Sequence, residues 1–117
     1  MVGRGQTAEV VIERPVPAGM EYRINNDGRS VTVTKYTGNA TTVNIPARIQ
    51  GLPVTVIDDY AFYNYSSLTS IDIPSSVTSI DEAAFWDCSS LTSITLSRRT
   101  EVGRDAFPAT ARIVYRD

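Results

Sequence analysis

Apolar positions along this chain return in a pattern with a period of 23 residues. The segment Ile57-Asp-Asp-Tyr-Ala-Phe-Tyr-Asn-Tyr-Ser-Ser-Leu-Thr-Ser-Ile71 and the segment Ile80-Asp-Glu-Ala-Ala-Phe-Trp-Asp-Cys-Ser-Ser-Leu-Thr-Ser-Ile94 agree at ten of fifteen positions. Within each unit, Leu68-x-x-Ile71-x-Ile73 and Leu91-x-x-Ile94-x-Leu96 alternate with small polar residues, which predicts a short strand with one buried side. Pro74, which lacks an N–H to donate, closes the first of these strands. Val77 and Ile80 make a second brief extended run. Asp58 and Asp81 then stand where a helical turn begins, a favoured place for aspartate. The Ala61-Phe62 and Ala84-Phe85 pairs that follow leave room for a single 3₁₀ or α turn only. No unit of this size hides its own Leu, Ile, Val and Phe. Successive units must therefore stack into a solenoid in which each covers the next.

The pattern weakens toward both ends. Downstream, Val102, Ala106 and Phe107 recur one position early; upstream, Val43, Ile45, Pro46, Val54 and Ile57 repeat the theme around a five-residue insertion at Gln50-Gly51-Leu52-Pro53. Before that, Glu21–Ile24 and Val31–Tyr36 alternate in polarity around Asp27-Gly28, a strong hairpin signal. The expected organisation is an N-terminal arm or first strand over residues 1–20, a β-hairpin cap over 21–42, about three repeats over 43–107, and a C-terminal edge strand over 108–117 centred on Ala111–Tyr115.

Composition supports strands and removes most chemistry. Val, Ile and Thr supply 35 of 117 residues, whereas leucine occurs four times. Branching at Cβ suits a pleated surface better than a helix. With no histidine and one cysteine, Cys88, the chain holds no Ser-His-Asp or Cys-His relay and no intrachain disulfide. The net charge of −2 lacks the excess positive charge of a nucleic-acid binder. No apolar run reaches the length of a transmembrane segment, and residues 1–20 lack the apolar core of a signal peptide. No cofactor or metal is expected; Asp58 and Asp81 stacked in successive coils invite a calcium reading, but each is better used as a cap.

At this point the residues resemble a known family. Leu68-Thr-Ser-Ile-Asp-Ile-Pro-Ser-Ser-Val-Thr-Ser-Ile-Asp-Glu-Ala-Ala-Phe-Trp-Asp-Cys-Ser-Ser-Leu91 is similar to the bacterial leucine-rich repeats of the BspA-like, treponemal type, L-x-x-I-x-I-P-x-x-V-x-x-I-x-x-x-A-F-x-x-C-x-x-L. The preceding unit departs once, with Tyr65 in the cysteine slot. The resemblance implies a right-handed, β-rich leucine-rich-repeat solenoid with short parallel strands on one face and short 3₁₀ or α turns on the other. It further implies a secreted or surface-exposed bacterial protein that attaches to other proteins, host or matrix components included. The family has no shared catalytic site, so no functional residue carries over and no enzymatic activity is expected.

Candidate contact residues come from the columns the repeat leaves free. On the strand face, Ser70, Asp72, Ser93 and Thr95 point outward, in line with Thr42 and Asn44. On the turn face, Tyr60, Tyr63 and Trp86 flank the inward phenylalanines, and exposed Tyr and Trp are enriched at interface hot spots. Residues 57–96 carry six acidic and no basic side chains, net −6, between basic ends that are each net +2. Two functions remain: a module that binds a protein partner, and a self-associating module whose terminal strand pairs with other copies. The partner's identity is not written in the sequence.

Overall fold

A computed structural model describes residues 15–116. The arm expected over residues 1–20 lies mostly outside the described residues. Ten strands follow in order: β1 (Met20–Ile24), β2 (Val31–Tyr36), β3 (Thr42–Asn44), β4 (Arg48–Ile49), β5 (Leu52–Ile57), β6 (Ser70–Asp72), β7 (Ser79–Ile80), β8 (Ser93–Leu96), β9 (Glu101–Val102) and β10 (Arg112–Tyr115). Among the described residues there is no helix, and none long and apolar enough to cross a membrane.

The Leu-x-x-Ile-x-Ile strands build a parallel sheet in the order β3–β6–β8–β10. Its register places Val43, Ile71, Ile94 and Ile113 in one column. The second extended run of each unit forms a separate sheet, in which β2, β5, β7 and β9 pair in parallel. Each coil thus contributes one rung to each of two sheets, and a solenoid of about four turns results. The hairpin of β1 and β2 is antiparallel, but β2 also pairs in parallel with β5 and so forms the first rung of the second sheet. Ile45 and Ile73, just past β3 and β6, and Leu96 of β8, with Ile57 and Ile80 from the other sheet, belong to the one buried core.

The insertion near Gly51 is visible in the register. Thr42 pairs with Ser70, a step of 28 residues, while Ser70 pairs with Ser93, a step of 23. The surplus residues leave the coil as a small hairpin in which Arg48 faces Pro53 and Ile49 faces Leu52. Its two turn residues, Gln50 at φ 55° and Gly51 at φ 79°, have the left-handed backbone that a two-residue hairpin turn requires.

The turn face closes through single turns, each sealed by a backbone bond from residue i+3 to residue i. Ala61 N–H donates to Asp58, Tyr63 to Tyr60 and Tyr65 to Phe62, and the same pattern repeats at Ala84, Trp86 and Cys88. Left-handed residues keep these turns from running on into a helix: Tyr60 and Asn64 in one coil, Ala83 and Asp87 in the next. A non-glycine residue in that region is uncommon and costs on the order of 1–2 kcal/mol. The repeat holds it there with coil-to-coil bonds such as Phe62 N–H to Ala84 O at 2.7 Å and Phe85 N–H to Ala106 O at 2.8 Å.

Two ladders bind coil to coil. Phe62 and Phe85 stack at 4.8 Å between ring centroids with planes 14° apart, and Phe107 follows at 5.6 Å. Tyr36 heads the same stack, 5.3 Å from Phe62. A second ladder is made of threonine hydroxyls. Thr69, Thr92, Thr78 and Thr100 each donate to a carbonyl of the coil before, at 2.9–3.2 Å. These hydroxyls tie coil to coil as the strand bonds do, and they give four of the chain's thirteen threonines a structural use.

Candidate interaction surface

Burying Phe62 and Phe85 forces the next residue of each coil outward. Tyr63 is 53% exposed, Trp86 46% and Tyr60 48%. Tyr60 and Tyr63 meet edge to face, 5.7 Å between centroids and 71° between planes. The backbone bonds Tyr60 N–H to Glu82 O and Asn64 N–H to Trp86 O set this pair beside the coil that carries Trp86. Three large amphipathic side chains therefore lie on adjacent coils of one face. Tyr and Trp present large contact area on few rotatable bonds, which is why they dominate interface energetics.

Around them the charge is acidic. Asp58 accepts a hydrogen bond from the exposed guanidinium of Arg23 at 3.3 Å. Its neighbour Asp59 has a carboxyl held above the ordinary carboxylate value, first because it shares a hydrogen bond with Asp58 and then through repulsion by that same charge. Burial pushes the Asp81 carboxyl up, and the charge of Asp58 pushes it further. Asp58 bonds to the N–H of Asp59 at 3.0 Å, one residue on, where a helix cap would reach two or three residues on. The absence of a helix behind it is the reason.

The strand face is flatter. Ser70, Asp72, Ser93 and Thr95 are half-buried between the exposed Thr42 and Asn44 and the last strand. Ser70 reaches Thr42 at 3.4 Å. Asp72 is engaged within the molecule, as Arg116 at the end of β10 pairs with its carboxylate and donates to the carbonyl of Ile73 at 2.9 Å. The aromatic face sets three large aromatic side chains among acidic ones, whereas on the strand face the outward columns are small and polar until β10, where Val114 is exposed beside Thr95.

Two polar side chains, the buried Cys88 and the half-buried Tyr65, explain sequence positions that look unrelated. Cys88 Sγ donates to Phe62 O at 3.0 Å, and burial pushes its thiol up to about 11. It is a small apolar filler with one weak hydrogen bond and stays protonated at neutral pH. In the preceding coil Tyr65 occupies that slot. Its hydroxyl donates to Ala40 O, and its ring meets Tyr36 edge-on at 5.2 Å. Tyr65 thereby fastens the loop before β3 to the first coil. That contact joins residues 25 apart in sequence, and the repeat pattern carries no sign of it.

A family model described as a BspA type leucine-rich repeat region (6 copies) matches residues 33–115 of this chain. Among solved structures, the chain is similar to the leucine-rich repeat protein of T. pallidum, with a TM-score of 0.68 and 24% identity, over 87% of this chain and 64% of that one. It is also similar to a leucine-rich cell surface protein from Faecalibacterium prausnitzii, with a TM-score of 0.70 and 32% identity, over 92% of this chain and 30% of the other. A leucine-rich repeat protein from Bacteroides capillosus gives a TM-score of 0.65 at 24% identity, over 90% and 99% of the two chains. The chain thus spans 64% of the T. pallidum protein's length and 30% of the Faecalibacterium protein's. No curated protein matches it significantly.

Proposed function

We propose, for a chain that belongs to the family of BspA type leucine-rich repeats, a non-catalytic role: it binds another protein across the turn face of the solenoid. The observation that carries this reading is the placement of Tyr60, Tyr63 and Trp86, each about half exposed, on adjacent coils of a rigid stack. Residues left free by the repeat have no part in folding the core, so their large apolar area has a use elsewhere. The acidic side chains around them steer encounter with a basic partner. Kinship to a protein described as a cell surface protein supports a secreted or surface-exposed location and a part in attachment to other cells or to matrix.

The test is capture of immobilised matrix and bacterial surface proteins by the purified chain. With a partner in hand, Trp86→Ala and Tyr63→Ala are expected to weaken binding by about 2 kcal/mol each, roughly thirtyfold, while leaving the melting temperature nearly unchanged. Unaltered binding in both variants would remove the turn face from the reading.

A second reading, self-association through the terminal strand, is favoured by a separate observation. Val102, Ile113 and Tyr115 continue the inward columns of Ile80, Ile94 and Leu96 yet are 44%, 37% and 43% exposed. Strand β10 also presents an edge with unpaired backbone groups to a second copy. Light scattering over a concentration series separates the two readings. A mass that doubles with concentration, and returns to the monomer value in Ile113→Lys, supports end-to-end pairing; a constant monomer mass overturns it.

A further inference from the structure

Beyond Trp86 the turn face dips into an open groove of about 490 Å³, lined by Trp86, Asp87, Ser89, Asp105, Phe107 and Pro108. Its apolar part is the half-exposed indole of Trp86 with the half-buried Phe107 and Pro108. Phe107 is held from behind by Phe85, with ring centroids 5.6 Å apart, so this wall is rigid. The other part is charged: Asp87 and Asp105 are both exposed, and neither has an ion-pair partner among the described residues. Both sit in the left-handed backbone region, at φ 64° and 54°, at the corners that flank the Trp86 and Phe107 coils. The groove therefore joins an aromatic wall to two exposed carboxylates carried on adjacent coils.

We infer that this groove receives an arginine side chain from an extended basic segment of the partner protein. A guanidinium stacks flat on an indole, and its fork donates to carboxylates in a way that an ammonium does not match. The three methylenes of its stem lie along apolar surface, which Phe107 and Pro108 supply. Charge complementarity selects the sign of the occupant, because the two charged side chains that line the groove, Asp87 and Asp105, are both acidic. The inference rests on the turn face being the contact surface, and it adds the chemistry of what binds there.

Trp86 is the only tryptophan of the chain, so its emission reports on the groove directly. The probe is a short peptide of alternating arginine and serine, set against the same peptide with glutamate for arginine. The arginine peptide is expected to shift the emission saturably and to bind more weakly as salt rises; the glutamate peptide is expected to leave it unchanged. In the double variant Asp87→Asn, Asp105→Asn, the dissociation constant should rise at least about tenfold. Asparagine tolerates the left-handed region as well as aspartate does, so this variant keeps the fold, and an unchanged melting temperature verifies it. A missing response to the arginine peptide, or equal affinity in the double variant, overturns the inference. If the double variant holds the protein partner as tightly as the native chain while Trp86→Ala releases it, the arginine pocket falls and the contact face stands. If Trp86→Ala also retains the partner, the contact face falls with it.

Discussion

Phe85→Ala is expected to lower the stability of the chain by about 3–5 kcal/mol. Phe85 is fully buried, stacked on Phe62 at 4.8 Å on one side and on Phe107 at 5.6 Å on the other. Truncation removes the transfer free energy of the ring and leaves a cavity that cannot collapse, because the backbone of this turn is pinned by Phe85 N–H to Ala106 O and Ala83 N–H to Arg104 O. Domains of this size hold roughly 5–15 kcal/mol in total, so a loss of this size takes much of the margin. Phe107→Ala, at the end of the stack with one ring neighbour and partial exposure, should cost clearly less. Denaturant midpoints for the two variants check the ordering. Equal small shifts, under about 1 kcal/mol, would show that the ring stack does not hold the coils together.

Ile94→Asp should be more damaging still at neutral pH. Ile94 is fully buried in the column between Ile71 and Ile113. Full burial raises a carboxyl by as much as 3–5 pH units above its free value, which corresponds to about 4–7 kcal/mol of lost stability where the unfolded chain is ionised. The sign follows from linkage. A carboxyl whose folded pKa lies above its unfolded value near 4 binds its proton more tightly in the folded state. The variant therefore comes closest to the native chain below pH 4 and falls away from it as pH rises through the unfolded value. Measuring the difference in unfolding free energy between variant and native chain at pH 3.5 and at pH 7 tests this. A difference independent of pH would mean that the carboxylate reaches water and that the interior is looser than its register indicates.

Both variants act on the same design. Each coil borrows half of its core from the coil before and lends half to the coil after, so a defect at a central rung weakens two interfaces together. The binding face is separate from this arrangement. Tyr63, Trp86, Asp87 and Asp105 stand on left-handed corners or beside them, positions that the ring and threonine ladders hold without using those side chains. Binding variants on the turn face and folding variants in the columns are thus expected to separate cleanly, one class changing affinity and the other the melting temperature.

The 23-residue spacing of Leu, Ile, Val and Phe determined the solenoid, the parallel strands, the inward phenylalanines and the looped-out residues at Gln50-Gly51. Periodicity reports which side chains must be hidden, and hiding them at that spacing has one stacking solution. It also made Tyr60, Tyr63 and Trp86 legible as outward residues, since each falls between columns already assigned to the core. What only the tertiary structure decided depends on contacts between residues that share no period. Tyr36 joining the ring stack, Tyr65 reaching Ala40 and Arg116 taking up Asp72 are of this kind. The left-handed corners at Tyr60 and Ala83 were equally hidden, because neither residue type prefers that conformation and only bonds to the neighbouring coils hold it. The groove that joins Trp86 to Asp105 and Phe107 spans two coils, and a linear repeat does not display side chains of neighbouring coils as one wall.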